Sequence, residues 1–359
     1  MPCQKKIALA LGISQSAVSK ALRGHRSIST DMRKKIHATA EHMGYHLNGH
    51  VSNLMSNIRT GKKLTDKGEL GLLINAPSSE IWLEVETFRI FHAGVLQRGR
   101  ELGFHIEPFF LQNPAMRISR IDQILQTRSI DGIILAPPGR DSNLPDLRWE
   151  HYAAINASVG WEENNFNQLC CNQFQNYMTA FNELLSLGYK RIGTVLGSVF
   201  IQGTRQKTRW HMGYLVCQND IPKKNRIPVL ACKNPPVQAG FDETEDKILY
   251  AEFRKWVLQW RPDVILTLVG YEKRWLEAMG LKIPQDIGVA CLAQHADNRF
   301  AGIDEKPEIL GATAVELVAA QIARNEFGLP AYPKMTLIAG QWKDGSTVQN
   351  RNRTTTVSA

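Results

Sequence analysis

Residues 11–25 read LGISQSAVSKALRGH, and the spacing of their apolar side chains decides how the N-terminal end of the chain folds. A helix beginning just after Ser14 places Val18, Ala21 and Leu22 on one face, at i, i+3 and i+4. Gln15, Ser16, Ser19, Lys20 and Arg23 then share the opposite face, which is small, hydrogen-bonding and basic and contains no acid. Gly12 permits a tight turn ahead of this helix, Ile13 can plug the corner, and Ser14 is a good N-cap.

Working outward, residues 5–11 predict a short helix with Ile7, Ala8 and Leu11 inward. A third helix is expected over residues 30–43, with Ile36, Ala40 and Met43 at i, i+4, i+7. Asp31 suits its positive end, and Gly44 its stop. Three short helices with a glycine turn between the first two make a helix-turn-helix, whose second helix can enter a DNA major groove. The chemistry suits that use. Short side chains at Ser16 and Ser19 allow close approach, Gln15 can pair two-pronged with adenine, and Lys20 can donate to guanine acceptors.

Charge points the same way. The 359 residues carry a net charge of +9, and residues 1–63 hold eleven Lys or Arg against only Asp31 and Glu41, so the whole excess sits at one end. A compact basic end on a neutral body is the electrostatic footprint of a polyanion-binding module.

On these residues the chain resembles the LacI/GalR family of bacterial transcription regulators. ALALGISQSAVSKALRG (8–24) is similar to that family's helix-turn-helix, and SISTDMRKKIHATAEHMGY (27–45) to its third helix and the tyrosine that ends it. The resemblance implies that Gln15, Ser16 and Lys20 read bases while Ser14 and Ser19 meet phosphates, with Arg23 on the same face. Ala17 stands where the family usually has Thr, and Arg23 where it often has Asn.

The segment 46–68, HLNGHVSNLMSNIRTGKKLTDKG, hides an amphipathic repeat, Val51, Leu54, Met55 and Ile58. About two turns of such helix are marginal alone in water. The family resemblance implies a hinge helix that folds on DNA, pairs with its dimer mate and wedges Leu54 into the minor groove, with Val51 beside it. Domain bounds are therefore expected at 1–46 for the helix-turn-helix, 47–63 for the hinge, 64–345 for a body and 346–359 for a polar tail. His42, His46 and His50 recur every four residues, but Gly44 and Gly49 interrupt a continuous helix and no carboxylate or thiol completes a ligand set, so no metal is expected.

Beyond residue 64 strand-like runs alternate with helical ones: GLLINAP (71–77), FHIEPFFL (104–111), DGIILAP (131–137), YAAINAS (152–158), QLCCN (168–172), RIGTVLG (191–197), DVILTLV (263–269) and IGVACL (287–292). This βα alternation implies an α/β fold with parallel sheets covered by helices on both faces, in two doubly wound halves. It resembles the periplasmic-binding-protein-like core of the same family. SIDGIILAP, ELLSLGYKRIGTVLG, GLKIPQDIGVACL and IDEKPEILGATAVELV carry the local likeness, which implies halves at about 64–158 with 296–325 and 159–295 with 326–345. Ligand would bind at the carboxyl ends of the strands.

Asn75, Asn156, Arg209, Trp210 and Gln294 are the candidate ligand contacts. Several depart from the family pattern. Asn156 replaces an Asp, Trp210 stands where an Arg often lies with Arg209 beside it, and Ala293 and Gln294 occupy carboxylate positions. Carboxylates suit sugar hydroxyls by accepting paired hydrogen bonds, so their loss argues against an ordinary free sugar. Arg205, Lys207 and Arg209 would favour an anionic sugar derivative if they reach the cleft, and otherwise form a solvated loop.

The resemblance implies a transcription regulator without cofactor, a repressor that acts as a homodimer on a near-palindromic operator with its affinity set by a small-molecule effector. The sequence contains no dinucleotide or Walker phosphate loop, no G-x-S-x-G elbow and no H-E-x-x-H, so an enzyme is not expected. Six cysteines without a C-x-x-C pair read as buried reduced thiols. No apolar run reaches membrane-spanning length and no signal peptide is evident, which predicts a cytoplasmic protein. The alternative is a solute-binding receptor or sugar-processing α/β protein whose basic end is not a specific DNA reader.

Overall fold

The computed structural model describes residues 4–22, 28–43, 68–138, 142–158, 160–161, 165–202, 209–232, 243–268, 270–294 and 299–353. Residues 1–68 and 69–359 form two units. In the first, α1 (Gln4–Leu11), α2 (Gln15–Leu22) and α3 (Thr30–His42) close on Ile7, Ala8, Val18, Ala21, Ile36 and Ala40, with Leu11, Ile13 and Ile28 at the margin. Gly12 takes a left-handed φ of 64°, and the Ile13 amide donates back to the Ala8 carbonyl at 3.0 Å. That closes α1 and turns the chain within three residues into α2. Met43, expected inward, is exposed at the C-terminal end of α3, although its amide still donates to the Thr39 carbonyl at 3.0 Å.

The second unit runs β1 (Gly68–Ile74), α4 (Ser79–Leu83), α5 (Glu86–Leu102), β2 (Phe104–Phe110), α6 (Ile118–Thr127), β3 (Gly132–Leu135), β4 (Ala153–Asn156) and β5 (Asn167–Cys171). It continues through α7 (Gln173–Ser186), β6 (Ile192–Gly197), α8 (Val199–Gln202), α9 (Arg209–Asn219), β7 (Leu230–Cys232), α10 (Glu243–Trp260), β8 (Val264–Thr267), α11 (Lys273–Ala278) and β9 (Gly288–Gln294). It ends with β10 (Ala301–Asp304), α12 (Pro307–Ala323), β11 (Met335–Ile338) and β12 (Gln341–Lys343). The strands make two six-stranded sheets, ordered β11-β5-β4-β3-β1-β2 and β12-β10-β9-β8-β6-β7. In the second sheet β12 runs antiparallel to β10, while β10, β9, β8, β6 and β7 pair parallel in turn.

Parallel sheets need both faces covered, and each sheet here has a core on either side. Leu72, Ile134, Ile155 and Leu169 pack with Phe91 of α5 and Val315 of α12, while Leu73, Ile133 and Leu135 pack with Ile121 and Leu125 of α6. In the second sheet Leu196, Leu266 and Ala290 meet Tyr177 of α7 and Trp210 of α9; Val195, Ile265 and Val289 meet Phe253 of α10 and Trp275 of α11. α5 and α12 touch backbone to backbone. A Cβ on Gly94 would lie 2.1 Å from the Glu308 carbonyl oxygen, and one on Gly311 would lie 2.2 Å from that of Phe91.

The division between the halves differs from the expected bounds of 64–158 with 296–325 and 159–295 with 326–345. β5 pairs with β4 (Ile155 with Asn167, Asn156 with Gln168) and therefore belongs to the first sheet. β10 pairs with β9 and belongs to the second, and β11 returns to pair with β5. Ladder hydrogen bonds, not the local likeness of segments, fix which sheet a strand joins. The chain thus crosses between sheets after Cys171, after Asp304 and after Ile338.

Candidate nucleic-acid interface and ligand cleft

In the N-terminal unit, α2 begins where the sequence places its cap. The Ala17 amide donates to Ser14 Oγ at 3.1 Å, and the Ala17 and Val18 amides to the Ser14 carbonyl. With Val18 and Ala21 buried, Gln15, Ser16 and Lys20 stand exposed. That acid-free strip is seated by the core behind it. The side chain of Ser19 and residues Arg23, Val51 and Leu54 lie outside the described part of the structure.

All three crossings in the body leave the carboxyl ends of strands β5, β10 and β11, so the carboxyl ends of both sheets border the crossing region. In open α/β sheets this is where ligands bind. Asn75 follows β1, and its Oδ1 accepts from Gln112 Nε2 at 3.2 Å while its Nδ2 donates to Ser142 Oγ. Asn156 closes β4 and is 0% exposed. Its Oδ1 accepts from the Ser158 amide at 3.0 Å, while its Nδ2 has no hydrogen-bond partner.

Arg209 opens α9 and reaches from the second half to the first sheet. Its Nη1 lies 2.9 Å from Cys170 Sγ and its Nη2 2.9 Å from Met335 Sδ. Trp210 does not line the cleft. It is 1% exposed in the second core with Tyr177, Phe181 and Tyr214. Adjacent helical residues project about 100° apart, so a helix that aims Arg209 outward turns Trp210 in. Gln294 ends β9, with its backbone paired in register with Asp304.

The structure adds residues that spacing did not single out. Glu272, at the start of α11, is buried and accepts from Thr267 Oγ1 at the end of β8; burial raises its carboxyl above the ordinary range. At the second crossing, burial pushes Asp304 up, but hydrogen bonds from Lys306 (Nζ at 2.7 Å) and Lys343 (Nζ at 2.5 Å) win and hold it below its usual value. Its neighbour Glu305 makes no ion pair among the described residues. Burial pushes its carboxyl up to about 7, while Cys171 Sγ lies 3.9 Å from the Glu305 backbone carbonyl oxygen. The acid-acid-base run at 304–306 was the available signal in the sequence.

Comparison with known proteins agrees with both parts. Residues 5–48 match the family described as "Bacterial regulatory proteins, lacI family". The chain is 24% identical over 190 residues to the HTH-type transcriptional regulator IpsA of Corynebacterium glutamicum, a match covering 52% of this chain and 50% of that one. The chain thus spans about half the length of that curated relative. Among solved structures it is similar to a transcriptional regulator CelR–cellobiose complex (TM-score 0.56, 16% identity, 97% of this chain and 100% of that one). It is also similar to the lac repressor dimer bound to operator and the anti-inducer ONPF (TM-score 0.54, 14% identity, 96% and 98%). Residues 5–48 are thus similar to the lacI-family helix-turn-helix, and the body shares the two-sheet fold of these solved regulators.

Proposed function

We propose that this protein is a sequence-specific DNA-binding transcription regulator, a repressor, that acts as a dimer on a near-palindromic operator and is not an enzyme. The observation that carries the reading is the exposed, acid-free face of Gln15, Ser16 and Lys20 on a capped helix whose other face is core. Such a helix can lie in the major groove, with side chains short enough for its backbone to approach the bases. A near-palindromic site follows from two-fold symmetry of the dimer. The hinge reading, with Leu54 as an apolar wedge at the operator centre, rests on the family resemblance and on the repeat Val51, Leu54, Met55 and Ile58.

The body supplies the regulatory input. A small molecule bound between the carboxyl ends of the two sheets would favour one arrangement of the halves, and it alters operator affinity only to the extent that it binds the two arrangements unequally. The relatives named above support an effector of sugar type, one having been solved with cellobiose. No helix among the described residues is long and apolar enough to cross a membrane, consistent with action on cytoplasmic DNA. Selection of duplexes from a random pool by the full-length protein tests the reading. Enrichment of one near-palindromic sequence is expected, and recovery of DNA without sequence preference would overturn it.

A further inference from the structure

We propose that Arg209 and Asn156 form an anion-recognising subsite in the body, and that the effector carries a carboxylate or phosphate group. The word effector rests on the regulator reading above; the site itself rests on the body alone. A guanidinium presents five N–H donors in a rigid fork suited to paired oxygen acceptors. Among the described residues, the acceptors that Arg209 meets are the thiol of Cys170 and the thioether of Met335, each at 2.9 Å. Sulfur is a weak acceptor, and neither atom brings a compensating charge. Burial pushes the Cys170 thiol up, against the pull of Arg209, so it remains protonated at neutral pH. No carboxylate among the described residues pairs with Arg209. By contrast, Arg98, Arg128, Arg148, Arg274 and Arg324 each meet an acid.

A second observation is independent of the first. Asn156 is 0% exposed and its Nδ2 has no partner. An unsatisfied buried donor is costly and rare, and a ligand oxygen would satisfy it. The ladder places both features on one face of the first sheet. Asn156 is in register with Gln168, Gln168 with Met335, and Cys170 follows Gln168 by two residues, so their side chains leave the sheet on the same side. Arg209 therefore lies over the face from which Asn156 projects, against the strands one and two beyond β4. α9, eleven residues long, starts at Arg209, and its N-terminal dipole end adds positive potential there. Asn75 after β1, Gln112 after β2 and Ser142 beyond β3 are neutral and suit the hydroxyls of an attached polyol.

The test measures thermal stabilisation of the full-length protein by glucuronate, glucose 6-phosphate, acetate and inorganic phosphate. Glucose and potassium chloride at matched ionic strength are the references. At least one anion is expected to stabilise the protein beyond both references, the glucuronate and glucose 6-phosphate arms telling carboxylate from phosphate. Arg209→Gln, which removes the charge, should weaken binding of that anion about tenfold or more, consistent with loss of a paired charge-assisted contact. Asn156→Asp gives a sign test: a carboxylate there repels an anion but would retain or strengthen a neutral sugar. If that buried variant does not fold, the partly exposed Arg209→Gln carries the test by itself. No stabilisation by any anion beyond potassium chloride, equal stabilisation by glucose, or undiminished anion binding in Arg209→Gln would overturn the proposal. Operator binding by the wild-type protein without these compounds tests the regulator reading separately.

Discussion

Single side chains on α2 divide into those that hold the helix and those that face outward. Val18 and Ala21 are core, whereas Gln15 and Lys20 are exposed and make no contribution to it. Gln15→Ala or Lys20→Ala should therefore leave the melting temperature nearly unchanged while relaxing preference at particular operator positions, by about 1–3 kcal/mol where the contact is two-pronged. Binding to a panel of single-base operator variants checks this; a uniform loss across the panel would mean that the side chains touch phosphate only. Trp210 gives the opposite pattern. As a buried core residue it should cost about 3–5 kcal/mol of stability when cut to Ala, measured by urea unfolding of the body. A variant of normal stability with lost ligand binding would return it to the cleft.

At the scale of elements, α5 and α12 pack closely over the first sheet, and the crossings between sheets join the halves. Gly94→Ala sets a Cβ 2.1 Å from the Glu308 carbonyl oxygen, which belongs to backbone and cannot swing aside. A loss of about 1–3 kcal/mol is expected, typical of overpacking, read as a lowered urea midpoint. At the second crossing the sign of the pH dependence follows from Glu305. Its carboxyl ionises at about 7 in the folded protein against an ordinary value of 4.5, so between these the native state holds more protons than the unfolded chain. Stability present below 4.5 is then lost as pH rises through about 7. Asp304, shifted downward, acts below its ordinary 3.8, outside this window, and Glu272 adds the same sign as Glu305. Melting curves of wild type and Glu305→Gln should therefore diverge from pH 5 to 8, as the variant gains relative stability with rising pH. Parallel curves would place the ionisation elsewhere.

For the whole molecule, the excess charge and the α/β core lie in different parts of the chain. Removing residues 1–63 takes away the entire +9, while every strand of both sheets begins at or beyond Gly68. The remainder should fold, keep its ligand and lose DNA. For the intact dimer, log affinity should fall linearly with log salt, at a slope of about −0.9 for each of roughly 6–10 phosphates contacted. A nearly flat salt dependence, or full DNA affinity without residues 1–63, would make the basic end a solvated face.

The sequence by itself determined the elements whose causes are local. A glycine turn, a Ser14 cap and an apolar spacing of three and four residues specify α2 and its outward face, because the forces that form a capped helix act within one or two turns. Runs such as GLLINAP and DGIILAP declared buried strands by composition, and their alternation with helices declared parallel sheets. Only the tertiary structure decided which sheet received β5, β10 and β11, because pairing joins residues as far apart as Gln168 and Met335. It also turned Trp210 into core beside an outward Arg209, set that guanidinium against two sulfurs, and left Asn156 with an unanswered donor. Burial and partnership are properties of surfaces brought together by the fold, and no spacing along the chain encodes them.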